Sequence, residues 1–450
     1  MTVKVKLWGN TVGYLQDSQN GTIVFQYDKA FQQTGIEIAP ATMPLSNRIY
    51  SFPGLNRDTY HGLPGIFADS LPDKFGNLVI KSYLEQQGKS FDDLSTLEKL
   101  CFVGQRGMGA LEYEPAWNDF SRSEEIDIGE LSYIAQKILD SKEKERNEFD
   151  DKLISQLLVS GSSAGGARAK TLIAWNQETN EVRSGQVKAG PGFTYWLLKF
   201  GNINNNKDKE KESDKPEYAK IEYAYYLMAK DAGIDMTECR LLQTDNVSHF
   251  LTKRFDRDDN GNKIHMQSLC AIQHMDFNQA GIYDYRDAFI CLNKLNLSYF
   301  EKTQLFRRIV FNDLACNYDD HTKNISFLMD KQGQWRLSPA YDVTFAYNPV
   351  GKWTNQHQIR INGKTTKITD NDLIALASEV NIKKPEAIIK EIRHIISQWP
   401  DYAKEADISD KTIKEINKHI DRGRNQPVKS KISLSKTKYK TVPDNKEINR

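Results

Sequence analysis

Two acids and an amide stand at a spacing that suits phosphoryl transfer. The hexapeptide DDHTKN places Asp319 five residues before Asn324, and a further acid, Asp342, follows Asn324 by eighteen residues in SPAYDV. When a phosphoryl group moves from a nucleotide to a hydroxyl, one carboxylate accepts the hydroxyl proton. An amide and a second carboxylate hold Mg²⁺ against the phosphates. That ion is hard and takes oxygen ligands, so Asp and Asn suit it. On this pattern Asp319 is the candidate base, and Asn324 and Asp342 are the candidate metal ligands. Read alone, the hexapeptide also has the composition of an ordinary polar turn. The later acid favours the chemical reading.

The same chemistry needs a cation on the nucleotide phosphates, and Lys199 is the candidate. It ends the apolar run GFTYWLLKFGN, where a buried ammonium must find a counter-charge or bear a desolvation cost. Glu222, in YAKIEYAYYLMAKDAGI, is the candidate internal partner. The other reading is a strand-end lysine whose head reaches water. A third element is LLVSGSSAGGARAKTLIAW at 157–175, in which small residues lie between an apolar helix end and an apolar strand. A backbone that approaches phosphates closely needs such residues. The segment is neither a Walker A sequence nor GxGxxG, and a plain flexible turn would have the same composition.

These residues must be delivered by regular elements. Leu305, Phe306, Ile309, Val310 and Leu314 recur at helical spacing, which predicts a buried helix leading to Asp319. After Asn324, ISFLMD and QWRLSP predict two short strands across the turn KQGQ, bringing the chain back to Asp342.

With these parts in hand, the sequence resembles the HipA family, the Ser/Thr kinase toxins of bacterial toxin–antitoxin systems, over nearly its whole length. The matching features run in order: GLPGIFADSLPDKFGN, FVGQRGMGALEYEP, SSAGGARAKT, LLKF, the IEYAYYLMAKDAGI helix, LTKRFDRD, NYDDHTKN and LSPAYDV. The resemblance implies that Asp319 is the catalytic base and that Asn324 and Asp342 bind Mg²⁺. It implies ATP contacts from Gly165, Gly166, Ala167, Arg168, Ala169 and Lys170, from Lys199, from His321, Thr322, Lys323 and Asn324, and from Tyr341 and Asp342. Lys253, Arg254 and Phe255 would form the adenine hinge. The family's autophosphorylated serine aligns with Ser163, with Ser162 beside it as the alternative. There are departures. Arg168 and Ala169 replace a polar and acidic pair, Lys253 replaces a common hinge acid, and Gln267 and Ser268 stand where the family carries acids.

Composition agrees with this reading. At about 150 residues per domain, 450 residues suggest roughly three units. A hydrophobic content of 39% and a net charge of +1 mark neither a disordered chain nor an evident nucleic-acid binder. No run reaches the roughly 18 apolar residues of a membrane helix, and MTVKVKLWGN lacks a signal-peptide core, so a cytoplasmic protein is expected. The five cysteines are scattered among apolar residues, as buried free thiols are. The expected fold is α+β, a two-lobed protein-kinase-like fold with an extra N-terminal β-rich subdomain and a mainly helical C-lobe. Its expected divisions are 1–116 (the β-rich subdomain), 117–257 (the N-lobe), 258–420 (the C-lobe) and a basic tail at 421–450. The tail carries nine Lys or Arg against three acids, as a solvated tail or a nucleic-acid arm would.

The function the resemblance implies is an ATP- and Mg²⁺-dependent growth-arresting kinase. Its expected partners are a HipB-like helix-turn-helix antitoxin, operator DNA reached mainly through that antitoxin, and a translation factor such as an aminoacyl-tRNA synthetase as substrate. Two alternatives stay open: a lipid or small-molecule kinase, and a kinase-like subunit acting mainly as a DNA-bound antitoxin partner.

Overall fold

The computed structural model describes residues 1–18, 21–117, 125–140, 151–161, 168–201, 203, 217–244 and 247–420. Ser162, Ser163, Gly165, Gly166, Ala167, most of the polar stretch between Lys199 and Glu222, and the basic tail lie outside them.

The chain opens with β1 (Thr2–Leu7) and β2 (Asn10–Asp17), paired antiparallel. Val3, Val5 and Leu7 are buried while the residues between them are not, the period of a strand with one face on a core. β3 (Ile23–Tyr27) and β4 (Leu111–Glu114) complete a four-stranded sheet in the order β3-β2-β1-β4. Between β3 and β4 the chain turns helical, which the alternation of the flanking strands does not reveal. The helix Lys74–Gln86 starts at Asp73, whose carboxylate accepts from the Gly76 amide at 2.7 Å. The helix Thr96–Val103 starts at a capping box formed by Ser95 and Glu98.

A five-stranded antiparallel sheet follows, made of β5 (Lys170–Trp175), β6 (Val182–Ser184), β7 (Thr194–Lys199), β8 (Cys239–Thr244) and β9 (Val247–Lys253) in the order β6-β5-β7-β9-β8. Its register sets Lys170 directly opposite Lys199. The helix Tyr218–Asp231 packs against β8 and β9. Phe75, Val79 and Ile80 share one core with Leu131, Leu157, Ile173, Trp196 and Leu198. The helix Lys74–Gln86 is therefore built into the body of this lobe, and Asp73 arrives beside β5.

The rest is mainly helical. The helix Tyr299–Leu314 begins at a capping box of Ser298 and Glu301 and buries Leu305, Phe306, Ile309, Val310 and Leu314, the spacing seen in the sequence. Each such side chain contributes roughly 1.5–3 kcal/mol of hydrophobic stabilisation. It shares a core with residues of the helices Tyr285–Lys294, Asp370–Glu379 and Pro385–Ile396. Against this body lies a three-stranded antiparallel sheet, β10 (His265–Ser268), β11 (Ser326–Met329) and β12 (Trp335–Leu337), in that order. β11 and β12 are the hairpin expected after Asn324. All five cysteines are buried thiols outside any disulfide, and no described helix is long and apolar enough to cross a membrane.

Candidate active site

Lys199 ends β7 facing the helix Tyr218–Asp231, and its Nζ lies 2.5 Å from Glu222 Oε1. The same ammonium also donates to Asp342 Oδ1. The side chains of Lys199 and Glu222 are 11% and 2% exposed, whereas that of Asp342 is 35% exposed. Burial alone would discharge Lys199, but the carboxylates of Asp342 and Glu222 outweigh it and raise its pKa above the ordinary value. Burial opposes ionisation of Asp342 too, yet Lys199 and Lys170 pull its pKa down to about 2. Glu222 bears the desolvation: burial raises its pKa despite Lys199, and its Oε2 has no hydrogen-bond partner among the described residues. Two carboxylates and one ammonium thus meet where a phosphate or a cation could exchange with a partner.

Lys170, opposite Lys199 in the sheet, lies 3.3 Å from Asp73 Oδ2 and is 5% exposed. The N-terminal part of the chain therefore supplies one acid to this lysine pair, a contribution that local sequence does not signal. The guanidinium of Arg168 lies over the Tyr218 ring, and its charge also acts on Glu222. Ala169 packs into the core beneath the sheet.

The loop between the helix Tyr299–Leu314 and β11 carries the second half of the site. Asn324 donates from Nδ2 to the Asp319 carbonyl at 2.8 Å, which closes the loop on itself and leaves Oδ1 as the oxygen an ion would use. Asp342 stands five residues beyond β12 with φ 52°, a left-handed conformation that costs energy in a residue other than glycine. One carboxylate and one amide oxygen suit Mg²⁺, which keeps several waters and needs few protein ligands when phosphates supply the rest. No cluster of three or more His, Cys, Asp or Glu side chains that could hold a metal occurs among the described residues.

Several residues of the sequence reading have their side chains occupied. Thr322 donates from Oγ1 to the Met275 carbonyl at 2.6 Å, and Lys323 lies over the Phe277 ring at 4.7 Å. His321 Nε2 is 3.9 Å from Asp319 Oδ1, beyond hydrogen-bond range, and its ring meets Phe277. Tyr341 pairs its hydroxyl with Ser326 and the Lys323 carbonyl. At the end of β9, Lys253 pairs with Asp259 at 2.9 Å. Arg254 grips the buried Asp256 with two nitrogens, each at 2.8 Å, and its backbone amide donates to the Tyr195 carbonyl at 2.8 Å. The rings of Phe255 and Tyr341 are 5.6 Å apart, which joins this segment to the residue before Asp342. At the departure from the family pattern, Ser268 binds Asp69 through both its amide (2.7 Å) and its hydroxyl (2.9 Å), and Gln267 donates to the Ile66 carbonyl at 3.3 Å.

Sequence reasoning missed the surroundings of the candidate base, Asp319. Trp353 donates its indole N–H to Asp319 Oδ1 at 2.6 Å. Asp320, 1% exposed at its side chain, accepts from Tyr285 Oη and pairs with His357 Nδ1, each at 2.8 Å, and accepts from the Gln358 amide at 2.7 Å. His357 Nε2 reaches Asp313 at 3.3 Å. Burial would keep His357 neutral, but Asp320 and Asp313 outweigh it and raise its pKa to about 10. These partners lie 34 to 44 residues apart in sequence, and no local pattern links them.

Residues 3–114 match the HipA N-terminal domain, and residues 162–399 match the HipA-like C-terminal domain. A Haemophilus influenzae protein named "Putative kinase" is 28% identical over 160 residues, which is 32% of this chain and 46% of that protein. The chain thus spans about half the length of this curated relative. A solved complex of HipA, HipB and operator DNA from Shewanella oneidensis MR-1 contains a chain that superposes with a TM-score of 0.61 at 18% identity, over 94% of this chain and 95% of that one. The likeness identifies the fold as α+β and kinase-like, with the expected N-terminal subdomain.

Proposed function

This chain belongs to the HipA family, and we propose that it is an ATP- and Mg²⁺-dependent protein serine/threonine kinase acting as a growth-arresting toxin. The observation that carries the proposal is Lys199 held between Glu222 and Asp342, in a chain whose DDHTKN loop supplies the matching base and amide. Lys199 would move from Asp342 to the nucleotide phosphates while Glu222 keeps its direction. Asn324 and Asp342 would hold Mg²⁺, which, when bound, neutralises charge on the β- and γ-phosphates. Asp319 would take the proton of the acceptor hydroxyl. Lys253, Arg254 and Phe255 would receive the adenine, with Tyr341 beside them. The segment from Gly165 to Lys170, together with His321, Thr322 and Lys323, would enclose the phosphates.

The partners proposed follow the family. The Shewanella relative was solved with HipB and operator DNA, which supports a helix-turn-helix antitoxin for this chain, with DNA reached mainly through it. A translation factor, such as an aminoacyl-tRNA synthetase, is the proposed substrate class. Ser163, or Ser162 beside it, is the proposed site of self-phosphorylation; a phosphate there adds about −1.5 to −2 charges to a loop that must accept ATP, so the modified enzyme would bind nucleotide poorly. A cytoplasmic location accords with such partners.

Incubation with γ-labelled ATP, Mg²⁺ and a bacterial lysate, followed by phosphosite mapping, tests the proposal. The wild type should label serine or threonine in one or a few proteins. Asp319→Asn should lower the rate by about 10²–10⁴-fold, the range for loss of a general base, while still binding ATP. Near wild-type transfer by the variant would remove the kinase assignment.

A further inference from the structure

The residue that touches the candidate base lies in none of the sequence motifs. Trp353 stands eleven residues beyond Asp342, and its indole N–H meets Asp319 Oδ1 at 2.6 Å. Its backbone is held on a firm mount. The Trp353 carbonyl accepts from Gln358 Nε2 at 2.8 Å, and the same nitrogen lies 3.1 Å from the Tyr318 carbonyl, one residue before the base. The Gln358 amide donates to Asp320, one residue after the base. His357, adjacent to Gln358, joins Asp320 and Asp313 inside the protein. Further back along the segment, the Tyr318 amide donates to the Ala346 carbonyl at 3.0 Å, and the Ala346 amide donates to the Cys316 carbonyl at 3.0 Å. Both neighbours of Asp319 are therefore fastened to the stretch that carries the indole. Base and indole, each partly exposed, are thus fastened to one buried polar network behind them.

A carboxylate on a partly exposed side chain turns readily about its last bond. A donor fixed on one oxygen stops that rotation and leaves the other oxygen for the reaction. Orientation of this kind lowers a barrier because the catalytic group arrives already aligned. We propose that Trp353 is the positioning residue of the base: it holds Oδ1 of Asp319 so that Oδ2 receives the proton of the acceptor hydroxyl. As that proton moves to Oδ2, the acceptor oxygen bonds to the γ-phosphorus. The bond from the γ-phosphorus to the β–γ bridging oxygen breaks, and its electron pair leaves with ADP. Trp353 exchanges nothing and acts only through Asp319. The inference rests on the kinase reading of this site.

The test uses the full chain with γ-labelled ATP and Mg²⁺, reading transfer to lysate proteins and to the protein itself. Trp353→Phe keeps the ring and removes the donor. It should lower kcat by about 10-fold, with KM for ATP and the melting temperature unchanged. Trp353→His, which restores a ring N–H, should recover part of the loss. An unchanged rate in Trp353→Phe would overturn the inference and leave the contact as a satisfied indole. A faster rate would also overturn it, by making Trp353 a cover over the base. A loss in KM for ATP rather than kcat would overturn it too, since the residue would then serve nucleotide binding. Should Trp353→Phe melt early, Trp353→His decides by the same split between kcat and KM. A wild type that binds ATP–Mg²⁺ but transfers nothing removes the kinase reading and this inference together; the other outcomes remove the inference alone.

Discussion

Charge is buried on both sides of the loop 319–324, and the two sides are built in opposite ways. On the phosphate side, Lys199 is shared by Glu222 and Asp342, Asp342 is a third exposed, and Glu222 Oε2 has no partner among the described residues. Behind the base, both oxygens of Asp320 are taken by Tyr285, His357 and Gln358, and both ring nitrogens of His357 face carboxylates. The first group has bonds to exchange and the second has none. On the proposed function, a site that receives charged ligands needs partners it can release, while a loop that holds a base still needs partners it cannot. Activity and stability should therefore separate along this line.

The largest effect expected on the phosphate side is on rate. Asp342→Asn should lower phosphoryl transfer by about 10³-fold or more, the scale of losing one charge-stabilising group in such a reaction. Lys199 keeps Glu222 in that variant, so no charge is orphaned and the melting temperature should move by less than about 2 °C. Radiolabel transfer and a thermal melt on one preparation check both halves. A large fall in melting temperature would erase the distinction between the two sides.

Behind the base the expectation reverses. His357→Leu leaves Asp320 and Asp313 without their shared cation, and such breakage of a buried pair costs about 3–5 kcal/mol. Urea unfolding would measure it, while the nucleotide affinity of the folded fraction should match the wild type. A cost below about 1 kcal/mol would show that the network is not what holds the loop.

The smallest effect sharpens the same contrast through pH. The folded pKa of His357, about 10, lies above its ordinary 6.5. The stabilisation it contributes is therefore complete below about pH 6.5 and is lost as pH rises through about 10. Wild-type unfolding free energy should decline between those values, and His357→Leu should lack that part of the decline. For Asp342 the sign is opposite. Its depressed pKa, about 2, gives a contribution present above about pH 4 and lost only as pH falls through about 2, softened by the exposure of its carboxylate. Parallel pH curves for wild type and His357→Leu would break the assignment of the alkaline limb.

Much of the site was legible because its parts are local. The helix before Asp319 follows from five apolar residues at helical spacing, and the hairpin from two short runs across a Gly-containing turn. Together they explain why the chain returns from Asn324 to Asp342, whose neighbour Tyr341 reaches the Lys323 carbonyl. The need of Lys199 for a counter-charge was also legible, since an ammonium at the end of an apolar strand must find one. The helices between β3 and β4 were not, because the strands around them dominate the pattern. The occupied side chain of Arg254 was equally hidden: nothing in LTKRFDRD says that Asp256 folds back on the arginine two residues before it.

By itself, then, the sequence determined the family, the chemistry-bearing residue types and the local elements that carry them, since each is written in a contiguous stretch. Tertiary structure alone decided who meets whom across distance. It set Asp342 as well as Glu222 on Lys199, Asp73 from the N-terminal part on Lys170, and Trp353 on Asp319. Spacing along a chain encodes periodicity and turns, whereas contacts between separate elements follow from how whole cores pack. Here the core shared by the helix Lys74–Gln86 and the five-stranded sheet brings Asp73 to the site, and the buried Asp320–His357 network brings the indole.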